Sequence, residues 1–370
     1  MGRTAKKGGF YNLWDNRVTK LLNIEYPIIQ APMAGGVTTP ELVASVSNAG
    51  GLGMVGAGYM EPGQLTSQIK EIKKLTDKPY GVNLFIPGDF RISKFDFDLA
   101  YNRLQPFRDE LNIKEEVPVL PESKVDHVKF AQLLDVIIGE KVPVCSFTFG
   151  IPSEEVISKL KREGIILVGT ATSLNEAVIN ENAGMDIVVG QGSEAGGHRG
   201  TFSEDGGDHL IGTMSLIPQL TEKVSIPVIA AGGIMNAKGV IASLCLGAKG
   251  VQMGTAFLTC RESGAHKVYK EAVLQATDTD TVLTRAFSGK WARGIKNQFI
   301  KDIEESQVHI PDYPVQNILT TQIRKAAASG NDSRFMSLWS GQSPGLAKDQ
   351  TVKELIRDIV SQAEETKASF

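Results

Sequence analysis

Ten residues, Gln191-Gly-Ser-Glu-Ala-Gly-Gly-His-Arg-Gly200, combine four glycines with one carboxylate, one histidine and one arginine. They follow the apolar run Asp186-Ile-Val-Val-Gly190, which reads as a buried strand. Glycine lets a backbone approach a ligand closely or take positive φ. Polar side chains just past a strand end are where α/β folds place chemistry. His198 ends the Gly196-Gly197 pair, and an imidazole there can titrate near neutrality and serve as acid or base. No second histidine or cysteine stands at ligand spacing, so no metal site is expected. Glu194 and Arg199 read as loop support rather than as reacting groups.

Two further glycine clusters carry chemistry. Ala230-Ala-Gly-Gly-Ile-Met-Asn236 puts Gly232 and Gly233 between a strand and a helix, and Val251-Gln-Met-Gly-Thr255 supplies a glycine and a hydroxyl one strand later. Either cluster alone serves a tight turn as well as a ligand. Together, on adjacent strands of a barrel, they favour a phosphate-bearing ligand held on backbone N–H groups. The other histidines carry no pattern: His127 and His266 start helices, and His209 and His309 lie in loops. Lys290 and Arg293 are read as surface charges and Trp339 as a packing anchor.

These residues need a scaffold that brings strand ends together. Between about residues 26 and 277 the chain alternates short apolar runs with amphipathic segments eight times, the last run being 250–258. Near-continuous apolar strands suit a parallel sheet buried on both faces. Eight βα units over roughly 250 residues match a (β/α)8 TIM barrel, whose active sites sit at the strand C-termini. Thr39 before Pro40, Ser153, Ser173 and Asn236 read as helix caps. An open doubly wound sheet is disfavoured, since Ala31-Pro-Met-Ala-Gly-Gly36 is not a GxGxxG turn. The charged, aromatic segment 87–125 reads as an insertion after the third strand, partly helical. Residues 1–14 read as a flexible extension, 15–277 as the barrel, and 278–370 as a C-terminal helical extension covering the barrel mouth.

Composition narrows the function classes. The 370 residues are 42% hydrophobic and 22% charged with a net charge of −3, which suits a sizeable core and offers no electrostatic case for nucleic acid or an anionic membrane. Three scattered cysteines suggest neither a disulfide framework nor a zinc site. Cys145 and Cys245 sit in apolar runs and read as core thiols. No stretch is long enough to span a bilayer and the N-terminus has no secretory h-region, so a cytoplasmic location is expected. Homo-oligomerisation is left open.

Six motifs together resemble the nitronate monooxygenases, formerly called 2-nitropropane dioxygenases. They are Ile28-Ile-Gln-Ala-Pro-Met-Ala-Gly-Gly36, Asn48-Ala-Gly-Gly-Leu-Gly53, Gly81-Val-Asn-Leu84, the 191–200 loop, Pro227-Val-Ile-Ala-Ala-Gly-Gly-Ile234 and Gly250-Val-Gln-Met-Gly-Thr-Ala-Phe-Leu258. Thr284-Arg-Ala-Phe-Ser-Gly289 and Leu338-Trp-Ser-Gly-Gln342 extend the resemblance into the tail. The resemblance implies a barrel carrying FMN, bound by Met33, Asn83, Gln191, Gly196, Gly233, Gln252, Met253, Gly254 and Thr255. His198 would face the flavin as catalytic base or orienting group. The implied reaction is oxidation of alkyl nitronates, such as propionate 3-nitronate, by O2 to a carbonyl compound and nitrite. Some family members carry histidine where this chain has Thr148, which cannot act as an acid–base group, so the departure bears on substrate preference more than on reaction class. The same loop resembles FMN- and NADH-dependent enoyl-ACP reductases, and a non-catalytic flavin-binding protein is a third reading. An IMP-dehydrogenase-like enzyme would need a cysteine in the 191–200 loop, which has none.

Overall fold

The computed structural model describes residues 13–114, 117–119, 122–203, 209–306 and 309–368. The predicted N-terminal extension lies almost entirely outside the described residues. Trp14, at its end, is buried and packs edge-on against Tyr26.

Among the described residues eleven strands form, in chain order: β1 (Ile28–Gln30), β2 (Gly53–Gly56), β3 (Tyr80–Phe85), β4 (Val144–Thr148), β5 (Ile166–Ala171), β6 (Ile187–Gln191), β7 (Gly197–His198), β8 (Val228–Ala231), β9 (Gly250–Met253), β10 (Thr281–Thr284) and β11 (Ala292–Ile295). Eight of them make one parallel sheet in the order β1-β9-β8-β6-β5-β4-β3-β2. The ends close on each other, because Gln30 N donates to Leu52 O and Leu52 N donates to Ile28 O, each at 3.0 Å. The fold is therefore a (β/α)8 barrel. Alternation explains how the strands are buried on both faces. In β6, Ile187 and Val189 join the barrel interior with Ile29, Met54 and Val168, while Val188 packs outward against the helices. In β8, Ile229 and Ala231 face inward and Val228 and Ala230 outward.

The helix starts follow their caps. Thr39 Oγ1 accepts from Leu42 N with Pro40 at the first helical position, and Ser153, Ser173 and Asn236 each accept a backbone N–H of the first turn. One predicted element ends differently. The apolar run 250–258 was read as a single strand, but β9 stops at Met253 and Thr255–Leu258 forms a short buried helix. A short apolar run has no periodicity that separates strand from helix, and Gly254 sits at the break.

The segments outside the barrel share a second core. Helices Lys94–Arg103 and Gln105–Glu110 of the insertion contribute Phe97 and Phe107 to a cluster with Phe287, Phe299 and Phe335 of the tail. Phe107 and Phe287 stand 4.8 and 4.6 Å from the Phe299 ring centroid. The tail, expected as helical, also forms the β10–β11 antiparallel pair, which β7 extends through Ala292↔His198 and Arg293↔Gly197. Its last helix, Val352–Ala368, packs through Leu355, Ile356 and Ile359 on the barrel flank near helices Ala237–Cys245 and Pro40–Asn48. Cys145 is buried as expected, but Cys245 is exposed. It ends helix Ala237–Cys245 on the side away from the packed face. No helix among the described residues is long and apolar enough to cross a membrane.

Candidate active site

A cavity of about 670 Å³ opens at the C-terminal ends of the barrel strands, within the roughly 300–1,000 Å³ usual for small-molecule sites. Nine of the ten predicted site residues line it: Met33, Asn83, Gln191, Gly196, His198, Gly233, Gln252, Gly254 and Thr255. Met253 does not. Alternation on β9 turns its side chain outward, where it is buried with Phe257 and Val251.

The 191–200 loop is held by its own polar residues. The Gln191 amide spans it, donating to His198 O (3.1 Å) and accepting from Gly200 N (2.8 Å). Glu194 accepts from Thr213 N and Oγ1 at 2.8 Å each. Arg199 donates to Gln191 O and Gly192 O, and Arg293 Nε to Ser193 O at 2.9 Å. Glu194 and Arg199 are thus structural supports, as read from the sequence. Arg293 is buried rather than a surface charge. The tail motif 338–342 threads against this loop. Gln342 N donates to Glu194 O and Gly341 N to Thr255 Oγ1. A Cβ on Gly196 would lie 2.5 Å from Gly341 N, so only glycine allows that approach.

His198 projects from β7 into the cavity between three aromatic rings, Trp339 at 5.4 Å, Phe149 at 5.9 Å and Tyr313 at 6.3 Å. Phe149 has φ +74°, a genuine outlier for a bulky residue. Its ring also meets Phe85 and carries the Lys290 ammonium 4.7 Å from its centroid. His198 Nε2 is 2.8 Å from Ser288 Oγ. Burial, then the nearby charges of Lys290 and Arg324, lower the imidazole to about 3. His198 is therefore neutral at pH 7. Its folded value lies below the ordinary value of about 6.5. The neutral form thus stabilises the fold fully above that pH, and the contribution is lost as pH falls towards the folded value. We expect the melting temperature of the wild type to fall more steeply with acid than that of His198→Asn. Parallel curves between about pH 6.5 and roughly 4 contradict this assignment.

Lys290, also read as a surface charge, is half-buried, with its ammonium donating to Thr201 O at 3.1 Å. Arg324 lines the cavity and is braced by Asn317 O (2.8 Å), Asn317 Oδ1 (2.9 Å) and Thr321 Oγ1 (3.1 Å). Burial lowers the pKa of both cations. Neither forms an ion pair among the described residues. On the opposite wall, Asn83 Nδ2 donates to Ser146 Oγ and Thr148 Oγ1, which leaves its Oδ1 as an acceptor. Thr148 thereby orients Asn83. His266 caps helix Lys267–Gln275 with Nδ1 and also lines the cavity.

Sequence reasoning did not find Ser288, Tyr313 or Arg324. The Thr284–Gly289 motif contains Ser288, but nothing local to it points across 90 residues to His198.

The cavity thus brings a neutral histidine and the Arg324 guanidinium, which has no ion-pair partner among the described residues, to a glycine-rich barrel mouth. Comparison with known proteins gives the family. The nitronate monooxygenase profile matches residues 15–362. A protein of Staphylococcus saprophyticus described as a probable nitronate monooxygenase is 53% identical over 351 residues, covering 94% of this chain and 98% of that one. Among solved structures, a nitroalkane oxidase from Streptomyces ansochromogenes superposes with a TM-score of 0.87 at 37% identity, covering 95% of this chain and 99% of its own. FabK from Thermotoga maritima superposes with a TM-score of 0.75 at 35% identity, covering 96% and 98%. The chain belongs to the nitronate monooxygenase family and is an oxidoreductase.

Proposed function

We propose that the protein uses FMN and O2 to oxidise alkyl nitronates, such as propionate 3-nitronate, to carbonyl compound and nitrite. The observation that carries this reading is Arg324, a buried cation that lines the cavity with the neutral His198 and has no ion-pair partner among the described residues. Desolvated positive charge in a cavity is costly unless an anion meets it, and a nitronate is an anion where a nitroalkane is neutral.

The cavity also fits FMN. Gly35, Gly197 and Gly254 line it, and a Cβ on Gly35 or Gly197 would meet nothing within 4 Å. At Gly254 it would meet only Ala31 Cβ at 3.7 Å. Backbone is therefore presented bare to a ligand. The Gly232-Gly233 turn and the start of the short helix Thr255–Leu258 stand after the seventh and eighth barrel strands, β8 and β9, where barrels commonly bind phosphate. In this reading Gly233, Gly254 and Thr255 hold the phosphate, and Met33, Gly196 and Gln252 line the cofactor. Asn83 offers Oδ1 to a ring N–H, and Gln191 keeps the loop in register. FMN supplies the electron-accepting chemistry and the reaction with O2.

The chain's own residues do the rest. Arg324 draws in the anionic substrate, Lys290 adds positive charge from behind the Phe149 ring, and Trp339, Phe149 and Tyr313 exclude water around His198. His198 orients a nitronate and accepts the α-proton of a neutral nitroalkane. Its low basicity makes the second role the harder one. The tail residues Asn317, Thr321 and Arg324 act as a roof over the reacting end. Arg324→Met removes this charge from the cavity wall. We expect KM for a nitronate to rise about 10–100-fold, since a hydrogen-bonded ion pair is worth roughly 1.5–3 kcal/mol. KM for the neutral nitroalkane should stay within about threefold. Equal changes in steady-state KM for both would remove the charge argument.

The likeness to FabK and the Glu194–His198 loop keep an FMN- and NADH-dependent enoyl-ACP reductase as the second reading. The Arg324 guanidinium, which lines the cavity without an ion-pair partner among the described residues, is what favours an anionic nitronate over it.

A further inference from the structure

Ser288 stands in the loop between β10 and β11, 90 positions from the histidine it touches. Among the described residues three groups meet its Oγ. Lys290 N lies at 3.3 Å, Lys290 O at 3.1 Å and His198 Nε2 at 2.8 Å. A hydroxyl has one proton and two lone pairs. The Lys290 carbonyl only accepts, so it takes the hydroxyl proton. The Lys290 amide only donates, so it occupies one lone pair. One lone pair remains for His198, and a lone pair is met only by an N–H. The one assignment that satisfies all three contacts places the imidazole proton on Nε2.

We infer that Ser288 is a positioning residue that holds His198 as the Nε2–H tautomer and leaves Nδ1 as the ring's free proton acceptor in the cavity. Nδ1 has no hydrogen-bond partner among the described residues, and the ring lines the cavity. The ring is held from all sides. Its backbone pairs with Ala292, its carbonyl accepts from Gln191, and Trp339, Phe149 and Tyr313 surround it. Lys290 contributes twice, its backbone orienting Ser288 and its ammonium adding charge beside the ring.

The consequence rests on the nitronate reading above. An unprotonated Nδ1 accepts but does not donate, so His198 gives no hydrogen bond to a nitronate oxygen through that atom, and the anion is met by Arg324. Towards a neutral nitroalkane, Nδ1 takes the α-proton. The C–H bond breaks, its electron pair becomes the C=N bond of the nitronate, and the ring becomes an imidazolium. Ser288 thus acts on proton abstraction and not on oxidation of a nitronate that is already formed.

The test is a nitrogen-15 spectrum of histidine-labelled holoenzyme, with the His198 signals identified by their loss in His198→Ala. The expected result is a pyrrole-type resonance for Nε2 and a pyridine-type resonance for Nδ1. Ser288→Ala should give a mixed or reversed tautomer, and Ser288→Thr, which restores a hydroxyl, should return the wild-type pattern. In kinetics, Ser288→Ala should lower kcat on a nitroalkane roughly 10–100-fold, the range found when the orienting partner of a metal-bound histidine is removed. Its kcat on propionate 3-nitronate should stay within about twofold. A wild-type spectrum with the proton on Nδ1, or a Ser288→Ala spectrum identical to wild type, overturns the inference. The spectrum is independent of turnover. A wild type with the expected tautomer that oxidises neither substrate therefore defeats the nitronate reading while Ser288 keeps its role.

Discussion

His198→Ala is expected to purify with its flavin and to lose about 10²–10⁴-fold in rate on nitroalkanes, the usual contribution of a positioned proton acceptor. The loss on a nitronate should be much smaller. A nitroalkane must give up an α-proton before it can be oxidised, and Nδ1 of His198 is the acceptor with no protein partner in the cavity among the described residues. A nitronate has already lost that proton, so the ring only fills space and orients it. Burial and two cations keep the imidazole weakly basic, so the wild type itself should handle nitronates far better than nitroalkanes. The same surroundings predict that His198 does not titrate between pH 5 and 8, where an unperturbed histidine would. Initial rates of both substrates on variant and wild type, with flavin content matched by visible absorption, check this. Equal, small losses on both substrates would remove His198 from the reaction.

Gly254→Val is expected to fold and to lose the cofactor. Gly254 has φ −103°, on the side that any residue adopts, and its added side chain would meet little but Ala31. The new bulk points into space that the proposed phosphate needs. Overpacking costs about 1–3 kcal/mol, which corresponds to roughly 10–100-fold weaker FMN binding. Gly233 is a less clean position, because its φ of +71° adds backbone strain to any substitution. The check is an unchanged circular dichroism spectrum beside a bleached visible spectrum. A Gly254→Val protein that purifies fully yellow would move the phosphate site elsewhere.

The barrel was legible because each stave announces itself locally. Runs such as Ile187–Gln191 and Val228–Ala231 are apolar throughout, and turn or cap residues bound them. The placement of His198, Gly233 and Gly254 then follows from topology alone, since strand C-termini share one face. The run 250–258 was misjudged because four buried residues after a glycine carry no period. What the sequence hid is long-range. The tail was legible as a cover for the barrel mouth, but nothing near Ser288 or Arg324 indicates that these of its residues reach His198 and the cavity. Lys290 and Arg293 looked like surface charges because charge alone says nothing of the loop that will cover it. Cys245 looked buried because an apolar run on a helix has an outer side as well as an inner one. The insertion and the tail looked separate, yet Phe97 and Phe107 share one core with Phe287 and Phe299.

The most direct test of the account is to mix the purified yellow protein with propionate 3-nitronate, first without O2 and then with it. The account predicts that the nitronate bleaches the visible absorption anaerobically, that air restores it, and that nitrite accumulates as O2 is consumed. Bleaching by NADH but not by the nitronate, with reduction of an enoyl thioester and no nitrite, would contradict it.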